Sequence, residues 1–169
     1  MTHSLAWAFE VSGLTPHQVF AFDGKSPAGV DYYDSATVRC TNGATMMLSG
    51  SATALIGQGT RVEIFGDNGT LTYEGGKINV AVRGPDGNVA VPVPADPSSP
   101  GDKPIGQAGV WRFVERCRGV QTPSTRNSAD GGVGLRVVQC LEAIYTSSAT
   151  GQLFTVETTN APVAVTADK

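Results

Sequence analysis

Acid–base chemistry has few starting points in this chain. There are two histidines, His3 and His17, and one close pair of carboxylates, Asp31 and Asp34, which bracket Tyr32 and Tyr33. His3 stands beside the start of a helix that opens the chain, a position that exposes an imidazole to a cleft and suits a general acid or base. His17 follows Pro16 at a strand entrance and reads as a surface residue. Paired carboxylates divide acid and base roles when their surroundings push their pKa values apart. A loop entering a strand is equally where aspartate caps turns. Gly131-Gly-Val-Gly134 opens a later helix, but a dinucleotide-binding turn needs glycine at 137, where Val137 stands. It reads as a flexible helix entry. Ser49-Gly50-Ser51 lacks the flanking glycines of a nucleophile elbow. Cys40, Cys117 and Cys140 form no Cys-x-x-Cys pair and have no histidine nearby, so buried reduced thiols are expected rather than a disulfide frame or a zinc site. No metal-ligating or cofactor-binding residue is expected in this chain.

The elements that position these residues follow from periodicity and turn chemistry. Residues 2–13 read as a short helix with Leu5, Ala8, Phe9 and Ser12 on one face, Trp7 and Val11 beside it, and Gly13 as the stop. Residues 17 to 93 are strand territory. His17–Phe22 is followed by Asp34–Thr41, the Asn42-Gly43 hairpin signal, and a return strand over 44–53. Thr60–Phe65 alternates strictly, and Gly-containing turns then separate strands at 70–73, 77–83 and 88–93. This describes an antiparallel meander with one covered face. Five prolines between Pro92 and Pro104 predict an irregular surface loop. A helix over 107–118 carries the stripe Val110, Phe113, Val114 and Cys117. A second, over 135–148, carries Leu135, Val138, Leu141 and Tyr145 as its core stripe, with Val137 and Ile144 beside it. Gly151 ends that helix, 152–157 is a last strand, and 158–169 is expected to be a mobile tail. The class is α+β: an open, mostly antiparallel β-sheet with helices packed on one face.

Composition bounds the function. With 169 residues the chain is one domain's worth of sequence, long enough to own a core. Twelve basic against 15 acidic residues give a net charge of -3, and the basic ones are scattered, which argues against nucleic acid as a partner. No apolar run approaches the ~20 residues that span a bilayer, so no membrane association is expected. With no signal peptide after Met1, the expected location is cytoplasmic. The residues alone describe a soluble α+β domain without an active site of its own.

The order of the pieces is more specific. Thr2-His3 opens a helix; Asp34-Ser-Ala-Thr-Val-Arg39 leads to Asn42-Gly43-Ala44; Ile64-Phe-Gly66 leads to Asn68-Gly-Thr-Leu71; and Gly134-Leu-Arg-Val-Val-Gln-Cys-Leu-Glu-Ala-Ile-Tyr-Thr-Ser-Ser148 precedes Thr150-Gly151. Together, over residues 2–157, they resemble the C-terminal domain of the Gfo/Idh/MocA oxidoreductases, the glucose–fructose oxidoreductase and inositol dehydrogenase family. The resemblance implies a domain that supports substrate and oligomer contacts beside a dinucleotide-binding domain holding NAD or NADP, a half that this sequence lacks. His3 matches the last residue of the family's catalytic motif and is carried over only as its remnant. The expectation is a substrate-side and oligomerisation domain of an NAD(P)-dependent sugar or polyol dehydrogenase, not catalytic alone. It would form a homodimer or larger assembly through the outer sheet face, and would meet a sugar-like substrate only with the dinucleotide-binding domain present. The outward positions expected there are Thr45, Met47, Ser49, Arg61 and Glu63, or their opposite-parity neighbours. The alternative is a non-enzymatic scaffold or binding module that uses the open sheet face.

Overall fold

The structure is a computed structural model that describes residues 1–54, 59–75, 77–93, 105–120 and 130–157, with every side chain among them except those of 105–109 and 112. The expectations for the tail at 158–169, and for most of the proline-rich loop and the linker before the last helix, lie outside the described residues.

Elements run in the order α1 (Thr2–Ser12), β1 (Pro16–Lys25), β2 (Asp31–Cys40), β3 (Thr45–Ser51), β4 (Arg61–Gly66), β5 (Gly69–Glu74), β6 (Lys77–Gly84), β7 (Gly87–Val91), α2 (Ile105–Cys117), α3 (Gly131–Thr150) and β8 (Phe154–Thr155). The α+β class and the antiparallel pairing agree with the sequence reading. The single meander does not: the strands form two four-stranded sheets, β3-β2-β1-β8 and β4-β5-β6-β7. The chain accordingly divides into two compact units, one of Met1–Val62 with Ala129–Lys169 and one of Glu63–Ser128.

The first unit owns the core. Strict alternation along β1 and β2 places Val19, Ala21, Ala36 and Val38 on one face, where Leu5 and Phe9 of α1 and Val137, Cys140, Ala143 and Ile144 of α3 pack against them. Each large apolar side chain buried this way contributes about 1.5–3 kcal/mol. Asn42-Gly43 makes the expected hairpin, with Asn42 Oδ1 accepting from the Ala44 N–H at 3.1 Å. Both helices of this unit stop at glycines in left-handed conformation, Gly13 (φ 67°) and Gly151 (φ 66°), which side-chain-bearing residues adopt at a cost.

Strand β8 pairs with β1 at Val19 and Gln18, so among the described residues most of that β1 edge lacks a strand partner. The last turns of α3 close it instead. Ser147 Oγ accepts from the Ala21 N–H at 3.0 Å and Ser148 Oγ accepts from the Asp23 N–H at 2.8 Å. Two hydroxyls replace two rungs of a ladder, which blunts an edge that would otherwise invite pairing.

Three expectations about packing need correction. In α3 the buried face is Val133, Val137, Cys140, Ala143, Ile144 and Ser147, while Leu135, Val138 and Tyr145 are exposed and Leu141 is half-buried. The helix carries apolar residues on two stripes, and the one that faces the sheet contains the small side chains that let it approach. α3 also begins at Gly131, so the glycines form its first turn rather than an entry. Cys40 and Cys140 are buried thiols as expected, but Cys117 is exposed.

The second unit holds most of β4, all of β5, β6 and β7, and α2. Its pairs are antiparallel, with Leu71 opposite Val80 and Val82 opposite Val89. Val110, Phe113 and Val114, the expected core stripe of α2, are exposed. Among the described residues, every fully buried side chain belongs to the first unit.

Candidate functional site

One end of the first unit's sheet gathers the polar side chains. Register places Asp23 of β1 directly opposite Asp34 of β2. Both continue the buried parity of Ala21 and Ala36, so their carboxylates lie on the helix-covered face. Asp31 joins them through an irregularity. Gly24 pairs with Tyr33 but Lys25 pairs with Asp31, so β2 carries an extra residue at Tyr32. Such a bulge re-aims the side chains beyond it. Asp31 Oδ2 thereby accepts a 2.6 Å hydrogen bond from the Tyr145 hydroxyl of α3.

The remaining contacts tie the cluster to its surroundings. Ser148 Oγ donates to Asp23 Oδ1 at 2.5 Å, and Lys25 Nζ lies 3.5 Å from Asp23 Oδ2. The same ammonium stands 5.9 Å from the centre of the Tyr145 ring, within cation–π range. Two glycines make room. A Cβ at Gly50 would stand 2.5 Å from Asp34 Oδ1, and one at Gly24 would stand 2.2 Å from the Tyr33 ring. Neither strand tolerates a side chain there without displacing its neighbour.

Electrostatics follow from this crowding. Burial holds the Asp34 carboxyl above its ordinary value. The Met1 α-amino group and the Gly50 amide oppose that shift, and the charges of Asp31 and Asp23 add to it. Tyr145 is pushed up to about 12, chiefly because its hydroxyl donates to Asp31. At neutral pH it is therefore a fixed donor, not a proton shuttle.

His3 lies in the first turn of α1, exposed and without a hydrogen bond to any described residue. His17 is an exposed strand residue whose carbonyl accepts from the Val156 N–H at 2.8 Å. Of the residues singled out from sequence, Asp31 and Asp34 are brought to one end of the unit, and His3 stands exposed in the first turn of α1. Asp23, Lys25, Tyr145 and Ser148 complete the cluster and were not singled out for chemistry. Among the described residues no group of three His, Cys, Asp or Glu side chains is arranged to hold a metal ion. None of the described helices is long and apolar enough to cross a membrane.

The glycine-rich start of α3 does not fit a dinucleotide. Asp130 caps it, its Oδ1 accepting from the Val133 N–H at 2.9 Å and lying 3.2 Å from where a Gly132 Cβ would be. A carboxylate already occupies the helix N-terminus that a pyrophosphate would need, and the two would repel.

This architecture is the fold of Gfo/Idh/MocA-type oxidoreductases over the part of their length that the chain spans. Solved structures that share it include a levoglucosan dehydrogenase in complex with NADH (19% identity, TM-score 0.71, 94% of this chain and 49% of that one). An NAD binding oxidoreductase from Klebsiella pneumoniae matches at 17% identity and TM-score 0.72, again over 94% and 49%. UDP-N-acetylglucosamine 3-dehydrogenase from Acidithiobacillus ferrooxidans matches at 17% identity and TM-score 0.68, over 90% and 46%. The chain therefore spans about half the length of these neighbours. No family model and no curated protein matches the sequence.

Proposed function

We propose that this chain is the substrate-side and self-association domain of an NAD(P)-dependent dehydrogenase acting on a sugar or polyol, with the cofactor held by a separate dinucleotide-binding domain. The observation that carries this reading is the pattern of coverage: nearly all of this chain corresponds to about half of each sugar-oxidoreductase neighbour. Two features of the chain support it. His3, exposed in the first turn of α1, is available as a general acid or base, and the Asp23, Asp31 and Asp34 cluster offers hydrogen-bond acceptors for a hydroxylated substrate. The outer face of β1–β3 carries Phe22 and Met47, 60% and 85% exposed, which suits contact with another copy. In this reading the protein works in the cytoplasm.

The scaffold reading keeps the fold and the association but dispenses with the chemistry. Calorimetry with NADH separates the dinucleotide question from the rest. This chain should give no heat of binding, because the glycine-rich start of α3 is closed by Asp130. Micromolar binding of NADH by the chain alone would overturn the division of labour proposed here. Hydride transfer to a sugar, restored by adding a dinucleotide-binding domain and lost on His3→Ala, would favour the dehydrogenase over the scaffold. Failure to restore it with any such domain would favour the scaffold.

A further inference from the structure

The carboxylate cluster has a property that its proposed role does not require. The Ala21 and Asp23 amides are directed to Ser147 and Ser148, away from β2. Asp23 and Asp34 are therefore a non-hydrogen-bonded pair of the β1–β2 ladder, the kind in which opposing side chains come closest. Like charges at such a position destabilise a sheet. Each carboxylate also keeps one oxygen, Asp23 Oδ2 and Asp34 Oδ1, that is shut off from solvent and accepts no hydrogen bond. The Asp23 side chain is only 10% exposed. A buried acceptor calls for a donor. Asp23 Oδ2 faces the Lys25 ammonium at 3.5 Å, which leaves Asp34 Oδ1, opposite the Asp23 carboxylate, as the buried oxygen that ionisation would leave without a partner.

We propose that Asp34, buried opposite the Asp23 carboxylate at the closest kind of ladder position, retains its proton in the folded chain, making this end of the sheet a pH-responsive latch between the β1–β2 tip and α3. The charged and titratable groups around the pair are few. Lys25 accompanies Asp23 on β1, Asp31 accompanies Asp34 on β2, Tyr145 faces them from α3, and the Met1 α-amino group acts from α1. Strand β3 brings only the backbone of Gly50. Asp34 carries the proton: its burial, with Asp31 and Asp23 nearby, outweighs the α-amino group and the Gly50 amide.

The sign of the effect is set by linkage. Asp34 binds its proton more tightly folded than unfolded, so stability falls as pH rises from the ordinary carboxylate value through the raised native one. The stabilisation is fully present below that window and lost above it. The same latch holds whether or not the chain serves a dehydrogenase.

Thermal unfolding of the full chain and of Asp34→Asn, from pH about 4 to about 8, tests this. The asparagine is uncharged at every pH and brings an N–H donor toward Asp23. Asp34→Asn should melt at a higher temperature than the wild type at the upper end, and the gap should close toward the lower end. A gap that does not change with pH, or a lower midpoint for the variant at the upper end, would overturn the latch. Should the variant not fold, carbon-13 titration of the wild-type aspartate carboxyls decides. One carboxyl titrating above the ordinary ~3.9 is expected, and none doing so refutes the proposal.

Discussion

Ser147 does two things with one hydroxyl. Its Oγ accepts from the Ala21 N–H at 3.0 Å and donates to the Gln152 carbonyl at 2.6 Å, and the residue is fully buried. Ser147→Ala leaves a buried strand amide without an acceptor and should cost about 1–3 kcal/mol, read from urea denaturation. The neighbouring Tyr145–Asp31 contact is exposed and contributes little to stability, but it fixes a protonation state. Asp31→Asn removes the charge that the phenol donates to, so Tyr145 should fall from about 12 toward the ordinary ~10 in an ultraviolet absorbance titration. An unchanged titration would mean that burial alone holds it. At this scale the sequence shows candidates but not partnerships. Asp31 and Asp34 stand out as a close pair, and His3 stands out by its place before a helix. Asp23 does not, because only the β1–β2 register brings it opposite Asp34, and the extra residue at Tyr32 that turns Asp31 inward leaves no mark in residue types.

Among the elements, α3 tests the assignment of faces. Ile144→Ala opens a cavity under the sheet and should cost about 2–5 kcal/mol. Val138→Ala, on a side chain 59% exposed, should stay within about 0.5 kcal/mol. Equal costs would mean that both stripes of the helix are covered in solution. The period of apolar residues announces a helix here but does not choose between its two stripes. The choice is made by Cys140, Ala143 and Ser147, whose small side chains let the backbone approach β1 and whose hydroxyl member reaches the strand edge. Local signals fared better where one residue decides the geometry: Asn42-Gly43 made its hairpin, and Gly13 and Gly151 stopped their helices. The division of the strands into two sheets has no such marker, because alternation along β3 and β4 is the same whichever neighbour each strand takes.

For the molecule as a whole, the outer face of the first unit's sheet is where association is expected. Its rows can be read from the register: Phe20, Thr37 and Met47 form one, and Phe22, Ser35 and Ser49 the next. The Phe20 and Phe22 rings meet edge to face, with centroids 5.0 Å apart, making one apolar ridge along β1. Within this unit α1 and α3 pack on the opposite face, and Phe22 on this one is 60% exposed. A two-fold contact uses the same patch on both copies, and a sheet face that is apolar along one strand and small or polar along the next is self-complementary under such a rotation. Light scattering on the order of tens of micromolar should therefore give a mass above the 17.5 kDa of one chain. Phe22→Glu or Met47→Glu places a carboxylate at the centre of the contact, against its own copy, and should return the protein to monomer. Val138→Glu carries the same charge on the exposed stripe of α3 and should leave the assembly intact. Loss of association in that variant, with Phe22→Glu still associated, would move the interface to the helices and leave the phenylalanine ridge without an occupant.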